Sequence, residues 1–193
     1  MAVELATGVD SSAVVLVEGM SDQFALEALA ARRGRRLEAD GISIVPMGGA
    51  TNIGRYLELF GPRGLGVRLA GLCDAGEEGH FQRSLERAGF GSNLSRVDME
   101  ALGFYVCVTD LEDELIRSLG AAAMEQIIET AGELASFRIL QRQPAQRGRP
   151  IEDQLRRFLG TRAGRKRHYA RLLVDALDLT RVPRPLDRVL AHV

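Results

Sequence analysis

The sequence predicts an α/β fold: a central, mainly parallel sheet of about four strands flanked by helices, followed by a helical C-terminal extension. Two observations predict it. Four short runs are almost continuously apolar, as strands covered on both faces must be. Between them, apolar residues recur at helical spacing, and alternation of strand and helix is the pattern of right-handed βαβ crossovers.

The strands are expected at Ala13 to Val17, Ile42 to Val45, Val67 to Cys73 and Phe104 to Val108. Phe24, Leu26, Leu29 and Ala30 mark the inner face of a first helix, with Ser21 as its expected cap. Ile53, Tyr56, Leu57 and Phe60 mark a second, opened by Thr51 or Asn52 and stopped by Gly61-Pro62. Phe81, Leu85 and Ala88 mark a third, closed by Gly89. From Leu111 to about Ala135 the pattern is helical without obvious interruption. Gln141 to Pro150 carries two prolines, a glycine and three arginines and reads as a linker. Helices are then expected at Ile151 to Leu159, Lys166 to Leu177 and Leu186 to His192, the last introduced by Pro183 and Pro185. This divides the chain into an α/β domain over residues 11–137 and a basic helical extension over 138–193 that packs on it.

At 193 residues, 46% hydrophobic and 26% charged, the chain has the balance of an ordinary globular domain. No apolar run approaches the roughly 20 residues that span a bilayer. Met1 to Ser12 has no basic n-region or apolar h-region, so no signal peptide is expected and a cytoplasmic location is the default. Cys73 and Cys107 lie in apolar runs and read as packing residues, too few for a disulfide framework or a zinc site.

The net charge of −1 conceals an asymmetry. Residues 1–137 hold 11 arginines against 21 acids, a balance of −10, whereas residues 138–193 hold 14 basic residues against 5 acids, a balance of +9. Either the two parts attract each other, or an acidic site lies beside a surface suited to a polyanion.

In a parallel α/β sheet, ligands gather at the carboxyl ends of the strands. Three of the four ends here are acidic: Glu18-Gly19-Met20-Ser21-Asp22, Asp74-Ala75-Gly76-Glu77-Glu78 and Thr109-Asp110-Leu111-Glu112-Asp113-Glu114. The remaining end, Pro46-Met47-Gly48-Gly49, offers no bulky side chain. Two readings stand. Acids after strands cap helices and complement their dipoles, which suits Asp22, Glu77, Glu78, Asp113 and Glu114. Glu18 and Asp74, however, directly terminate strands, and carboxylates crowded at one edge repel unless cations bind among them. An oxygen-only donor set favours Mg²⁺ or Mn²⁺.

Val14-Val15-Leu16-Val17-Glu18-Gly19-Met20-Ser21-Asp22 resembles the opening of a TOPRIM domain, an apolar strand ending in Glu-Gly with a second acid four residues on. Val45-Pro46-Met47-Gly48-Gly49, Leu72-Cys73-Asp74, Asp110-Leu111-Glu112-Asp113-Glu114 and the Lys166 segment with Tyr169-Ala170 extend the resemblance to nucleases of the overcoming lysogenization defect (OLD) family. The resemblance implies a Rossmann-like TOPRIM fold and a DNA endonuclease that hydrolyses phosphodiesters with Mg²⁺ or Mn²⁺, two ions in all. Carried over by position, Glu18, Asp22, Asp74 and Glu112 are the implied metal ligands, and Glu18, Asp74 and Lys166 the implied catalytic residues. Lys166 is the only lysine in the chain. The family's second motif is usually Asp-x-Asp, and Gly76 stands where its second carboxylate belongs, so Glu77 or Glu78 is the substitute to consider.

DNA is the expected partner, contacted by Arg162, Arg165, Arg167 and Arg171 through backbone phosphates. A Walker A motif is absent, so an ATPase of the kind that accompanies OLD nucleases is expected as a separate subunit, if there is one. A homo-oligomer is compatible with the sequence, and no membrane association is expected. Two other functions fit parts of the pattern. One is a catalytically weak TOPRIM protein that binds nucleic acid or an ATPase. The other is a phosphoacceptor domain using Glu18, Asp74 and Thr109, which would leave Glu112 and the basic tail without a role.

Overall fold

A computed structural model describes residues 11–162 and 164–193; most of the Met1 to Ser12 segment read for a signal peptide lies outside them. Four strands, β1 (Ala13–Val17), β2 (Ile42–Pro46), β3 (Arg68–Cys73) and β4 (Phe104–Val106), form one parallel sheet in the order β2-β1-β3-β4. The helices are α1 (Met20–Arg32), α2 (Ile53–Phe60), α3 (Glu78–Ala88), α4 (Arg96–Ala101), α5 (Leu111–Leu119), α6 (Ala121–Thr130), α7 (Leu134–Arg142), α8 (Ile151–Gly160), α9 (Arg165–Asp175) and α10 (Arg184–His192). Short 3₁₀ turns, Ala50–Asn52 and Ala75–Glu77, lead into α2 and α3.

Alternation along β1 shows how the sequence builds two cores from one strand. Ala13, Val15 and Val17 face a layer that includes α1 and α5–α10, whereas Val14 and Leu16 face α2, α3 and α4. Both faces are covered, so all five residues are buried, and the strand reads as a solid apolar run. The C-terminal helices belong to the first of these cores: Leu155, Phe158, Tyr169, Leu173, Leu186 and Val189 pack in the same cluster as β1 and α1. Arg32 ties α1 to α9 within this layer, its Nη1 donating to the Val174 and Leu177 carbonyls at the end of α9.

Several local expectations change. The first helix is capped two residues before Ser21: Gly19 is its N-cap, and the Gly19 N–H is bound by Asp22. The expected long helix after Leu111 is three helices, broken at Gly120 (φ +79°) and Gly132 (φ +73°), conformations open to glycine but strained for other residues. The expected boundary at residue 138 falls inside α7, where Phe137 and Leu140 face the core. Only residues 143–150 of the expected linker lack a helix or strand, and Gln146 within them is buried.

Gly71 in the middle of β3 permits the close approach of β3 to its neighbours. A Cβ there would lie 2.7 Å from Cδ1 of the fully buried Phe104 and 3.1 Å from the Leu16 carbonyl oxygen. Gly71→Val is therefore expected to lower stability by about 1–3 kcal/mol in a denaturant titration.

Candidate metal and phosphate site

Backbone hydrogen bonds bind the carboxyl edge of the sheet together beyond the strands themselves. Gly49 N–H donates to the Glu18 carbonyl, Cys107 N–H to Cys73, and Ala75 N–H to Thr109. Glu18 joins this lacing with its side chain, Oε1 accepting from the Asp74 N–H at 2.9 Å. The residue after β1 is thereby fixed against the residue after β3. Asp22, in the first turn of α1, accepts from Gly19 N–H at 2.8 Å.

The turn after β4 contributes two more acids. Asp110 caps α5, its Oδ1 accepting from Asp113 N–H at 2.8 Å and its Oδ2 from Arg156 Nε at 2.6 Å. Glu112 follows in the first turn, with Oε2 accepting from Lys166 Nζ at 2.9 Å. Asp110 and Glu112 are each only 6% exposed. Their cationic partners come from α8 and α9, so the C-terminal helices supply positive charge directly to the acidic edge.

The electrostatics show that these acids are neighbours. Burial pushes Asp74 up to about 7, and Glu18, Asp22, Asp110 and Glu112 push in the same direction. Asp22 also rises to about 7, by burial first, then through Glu112 and Glu18, against the opposing Gly19 hydrogen bond. Glu18 is raised by burial, less so because of the Asp74 N–H, with Glu77 the strongest of the nearby like charges. Burial works to lower Lys166, but Glu112, Asp110 and Asp74 outweigh it and raise the ammonium's pKa.

The structure thus brings Glu18, Asp22, Asp74, Glu112 and Lys166 to one place and adds Asp110, which sequence reasoning left out as a site residue. Its signal was available, because Asp110 is the first acid after β4. Glu77 lies near enough to Glu18 to repel it, whereas Glu78 is turned to Arg96, in an exposed two-point ion pair. Of the two substitutes for a carboxylate at Gly76, the geometry leaves Glu77. His80, in the first turn of α3, has a buried Nε2 without a hydrogen-bond partner among the described residues.

The donor set suits a hard divalent cation. Glu18, Asp22 and Glu112 each commit one carboxylate oxygen to a hydrogen bond, and Asp74 commits neither, among the described residues. No three acidic, His or Cys side chains there are already grouped for a metal ion. Cys73 and Cys107 are free, buried and strongly raised by burial, so they remain thiols rather than ligands.

The arginines expected on nucleic acid divide. Arg165 is buried rather than exposed: its guanidinium lies 4.0 Å from the Phe158 ring centroid, donates to Glu133 through Nε and Nη2, and donates to Phe158 O and Thr161 Oγ1. It holds α8, α9 and residue 133 together and has no surface to offer DNA. Arg162 is exposed, 3.5 Å from Glu133; Arg167 is exposed; and Arg171 is exposed, 3.7 Å from Asp175.

Two predictions follow from this arrangement. Arg165→Ala removes the buried guanidinium from the Phe158 ring and from Glu133, which keeps Tyr169 Oη and Arg162, and is expected to cost about 3 kcal/mol in chemical denaturation. Raised carboxylate pKa values favour the neutral, low-pH form: their stabilising contribution is complete below the ordinary Asp value near 4 and is lost as pH rises through about 7. In EDTA the melting temperature is accordingly expected to fall between pH 5 and pH 8 by more than it does in an Asp22→Asn/Asp74→Asn double variant, measured by differential scanning calorimetry.

Comparison with known proteins agrees with this architecture. Residues 11–75 match the family model described as the overcoming lysogenization defect protein-like TOPRIM domain. Two structures of the C-terminal region of the OLD protein of Xanthomonas campestris pv. campestris match at 27% and 28% identity. They cover 94% and 95% of this chain and 94% and 92% of theirs, with TM-scores of 0.70 and 0.72. The C-terminal region of the Burkholderia pseudomallei OLD protein has the same fold at 21% identity, with 94% of this chain and 96% of that one covered and a TM-score of 0.72. No curated protein matches. Over residues 11–75 the chain is similar to the OLD protein-like TOPRIM domain, and along most of its length it resembles the C-terminal region of OLD proteins.

Proposed function

We propose that this protein is a divalent-metal-dependent DNA endonuclease that hydrolyses phosphodiester bonds. The observation that carries the proposal is the convergence of Glu18, Asp22, Asp74, Asp110 and Glu112 beside Lys166 at the carboxyl edge of the sheet. Glu18, Asp22, Asp74 and Glu112 would hold Mg²⁺ or Mn²⁺, with Asp110 and Glu77 as the nearest further carboxylates. When bound, two such ions supply a nucleophile at neutral pH and charge stabilisation of the phosphoryl group and leaving oxygen.

The chain's own residues do the rest. Glu18 is positioned by the Asp74 N–H, so the ends of β1 and β3 present their carboxylates in fixed relation. Glu112 holds the Lys166 ammonium beside the acids, where it can meet a non-bridging phosphate oxygen and offset its charge. Exposed Arg162, Arg167 and Arg171 lie on or next to the helix that carries Lys166, suited to backbone phosphates on either side of the scissile bond. A separate ATPase partner is consistent with this reading, as is assembly into oligomers.

The test uses supercoiled plasmid and single-stranded DNA with Mg²⁺, Mn²⁺, Ca²⁺ or EDTA. Wild type is expected to cleave with Mg²⁺ or Mn²⁺ and not in EDTA. Glu18→Gln and Asp74→Asn are each expected to lose roughly 100-fold or more of that activity while keeping the wild-type circular dichroism spectrum. Ca²⁺ or Mn²⁺ binding by calorimetry without cleavage of either DNA would instead identify a TOPRIM protein that binds nucleic acid or a partner without turnover.

A further inference from the structure

Arg156 is attached to the acidic edge by one nitrogen. Three other arginines that hold helices together grip a carboxylate with two, Arg138 on Glu125, Arg165 on Glu133 and Arg184 on Glu100, whereas Arg33 meets Asp187 through Nη2 alone. Such two-point pairing uses the full geometric match between guanidinium and carboxylate. Arg156 touches Asp110 through Nε alone, and the second Asp110 oxygen accepts from the Asp113 N–H. The N–H groups of both Nη atoms have no hydrogen-bond acceptor among the described residues, and the side chain is 44% exposed although Asp110 is nearly buried.

A guanidinium anchored on one edge and open on the other is oriented to receive a second two-oxygen acceptor. We propose that Arg156 is a phosphate-binding residue, clamping the non-bridging oxygens of a nucleic-acid phosphate next to the carboxylate cluster, with Asp110 as its positioning residue. The proposal rests on the nuclease reading above and adds to it a specific contact. α8 then has a function parallel to that of α9: each helix lends one cation to the turn after β4, Arg156 to Asp110 and Lys166 to Glu112. Lys166 is a point charge, whereas the planar fork of Arg156 fixes the direction of approach of the phosphate as well as its charge.

The experiment compares wild type, Arg156→Gln, Arg156→Lys and, as a charge control, Arg188→Gln on the exposed side of α10. DNA binding is measured by fluorescence anisotropy in EDTA and in Ca²⁺ across a salt series, with cleavage kinetics in Mg²⁺ or Mn²⁺ and thermal melting of each protein. Arg156→Gln is expected to weaken DNA binding about 10- to 100-fold, and to make the slope of log Kd against log salt shallower by about one. Arg156→Lys should restore the salt slope but not the affinity, since it returns the charge without the fork. Arg188→Gln should stay within about twofold. Wild-type DNA affinity in Arg156→Gln, with only its melting temperature reduced, would leave Arg156 a purely structural partner of Asp110 and overturn the proposal. A wild type that neither binds nor cleaves DNA would remove the nuclease reading itself, and this assignment with it.

Discussion

Crowding five carboxylates at one edge of a sheet is electrostatically unfavourable, and the structure is organised around containing that repulsion. The parallel register makes the crowding inevitable. All four strands end at the same edge; β1 and β3 are followed at once by Glu18 and Asp74, and β4 by Asp110 four residues on. Containment has two parts. Backbone N–H groups of Asp74, Gly19 and Asp113 bind Glu18, Asp22 and Asp110, and cations from α8 and α9 bind Asp110 and Glu112. Burial first, and the neighbouring carboxylates after it, raise the pKa values of Asp22 and Asp74, which favours a proton at these positions.

The charge asymmetry of the sequence takes its meaning from this edge. The acidic and basic parts of the chain attract each other in specific pairs: Arg156 to Asp110, Lys166 to Glu112, Arg165 to Glu133 and Arg184 to Glu100. These pairs are made at helices whose apolar faces share a core with β1 and α1, so packing brings the charges into register and the charges are not asked to hold the fold unaided. Enough of the tail's arginines stay exposed, Arg167 and Arg171 among them, for the same segment to face a polyanion. Attraction within the chain and a basic outer surface, alternatives in the sequence, occur together.

The sheet was legible because burial on both faces leaves strands as unbroken apolar runs, and the observed β1 coincides with its run from Ala13 to Val17. The helix after β1 was placed well but its cap was not. Ser21 looks like a cap by residue type, yet the Asp22 carboxylate takes the Gly19 N–H and starts the helix earlier. The continuous helix expected after Leu111 failed at Gly120 and Gly132, whose positive φ values have no counterpart in apolar periodicity. The boundary at residue 138 rested on composition, and composition does not record that Phe137 and Leu140 point into a common core. Within the site, the strand-end rule singled out Glu18 and Asp74, while Glu112 was named only by the family resemblance. Arg165 was misjudged because density of charge says nothing of direction, and its burial against Phe158 and Glu133 is a tertiary fact.

The dependence of the acidic edge on distant helices has a structural consequence. Glu18 accepts from the Asp74 backbone N–H across the paired strands β1 and β3, so this part of the site is built by the sheet. Asp110 and Glu112 instead meet cations on the helices α8 and α9. Those helices keep their place through Phe158, Tyr169 and Leu173 in the main core and through the Arg32 contacts with the end of α9. Strand-derived carboxylates and helix-derived cations are thus positioned by different parts of one core. A change in packing beneath α8 or α9 would move the cations relative to the acids without disturbing the sheet, which makes the geometry between the two sets the most sensitive feature of the site.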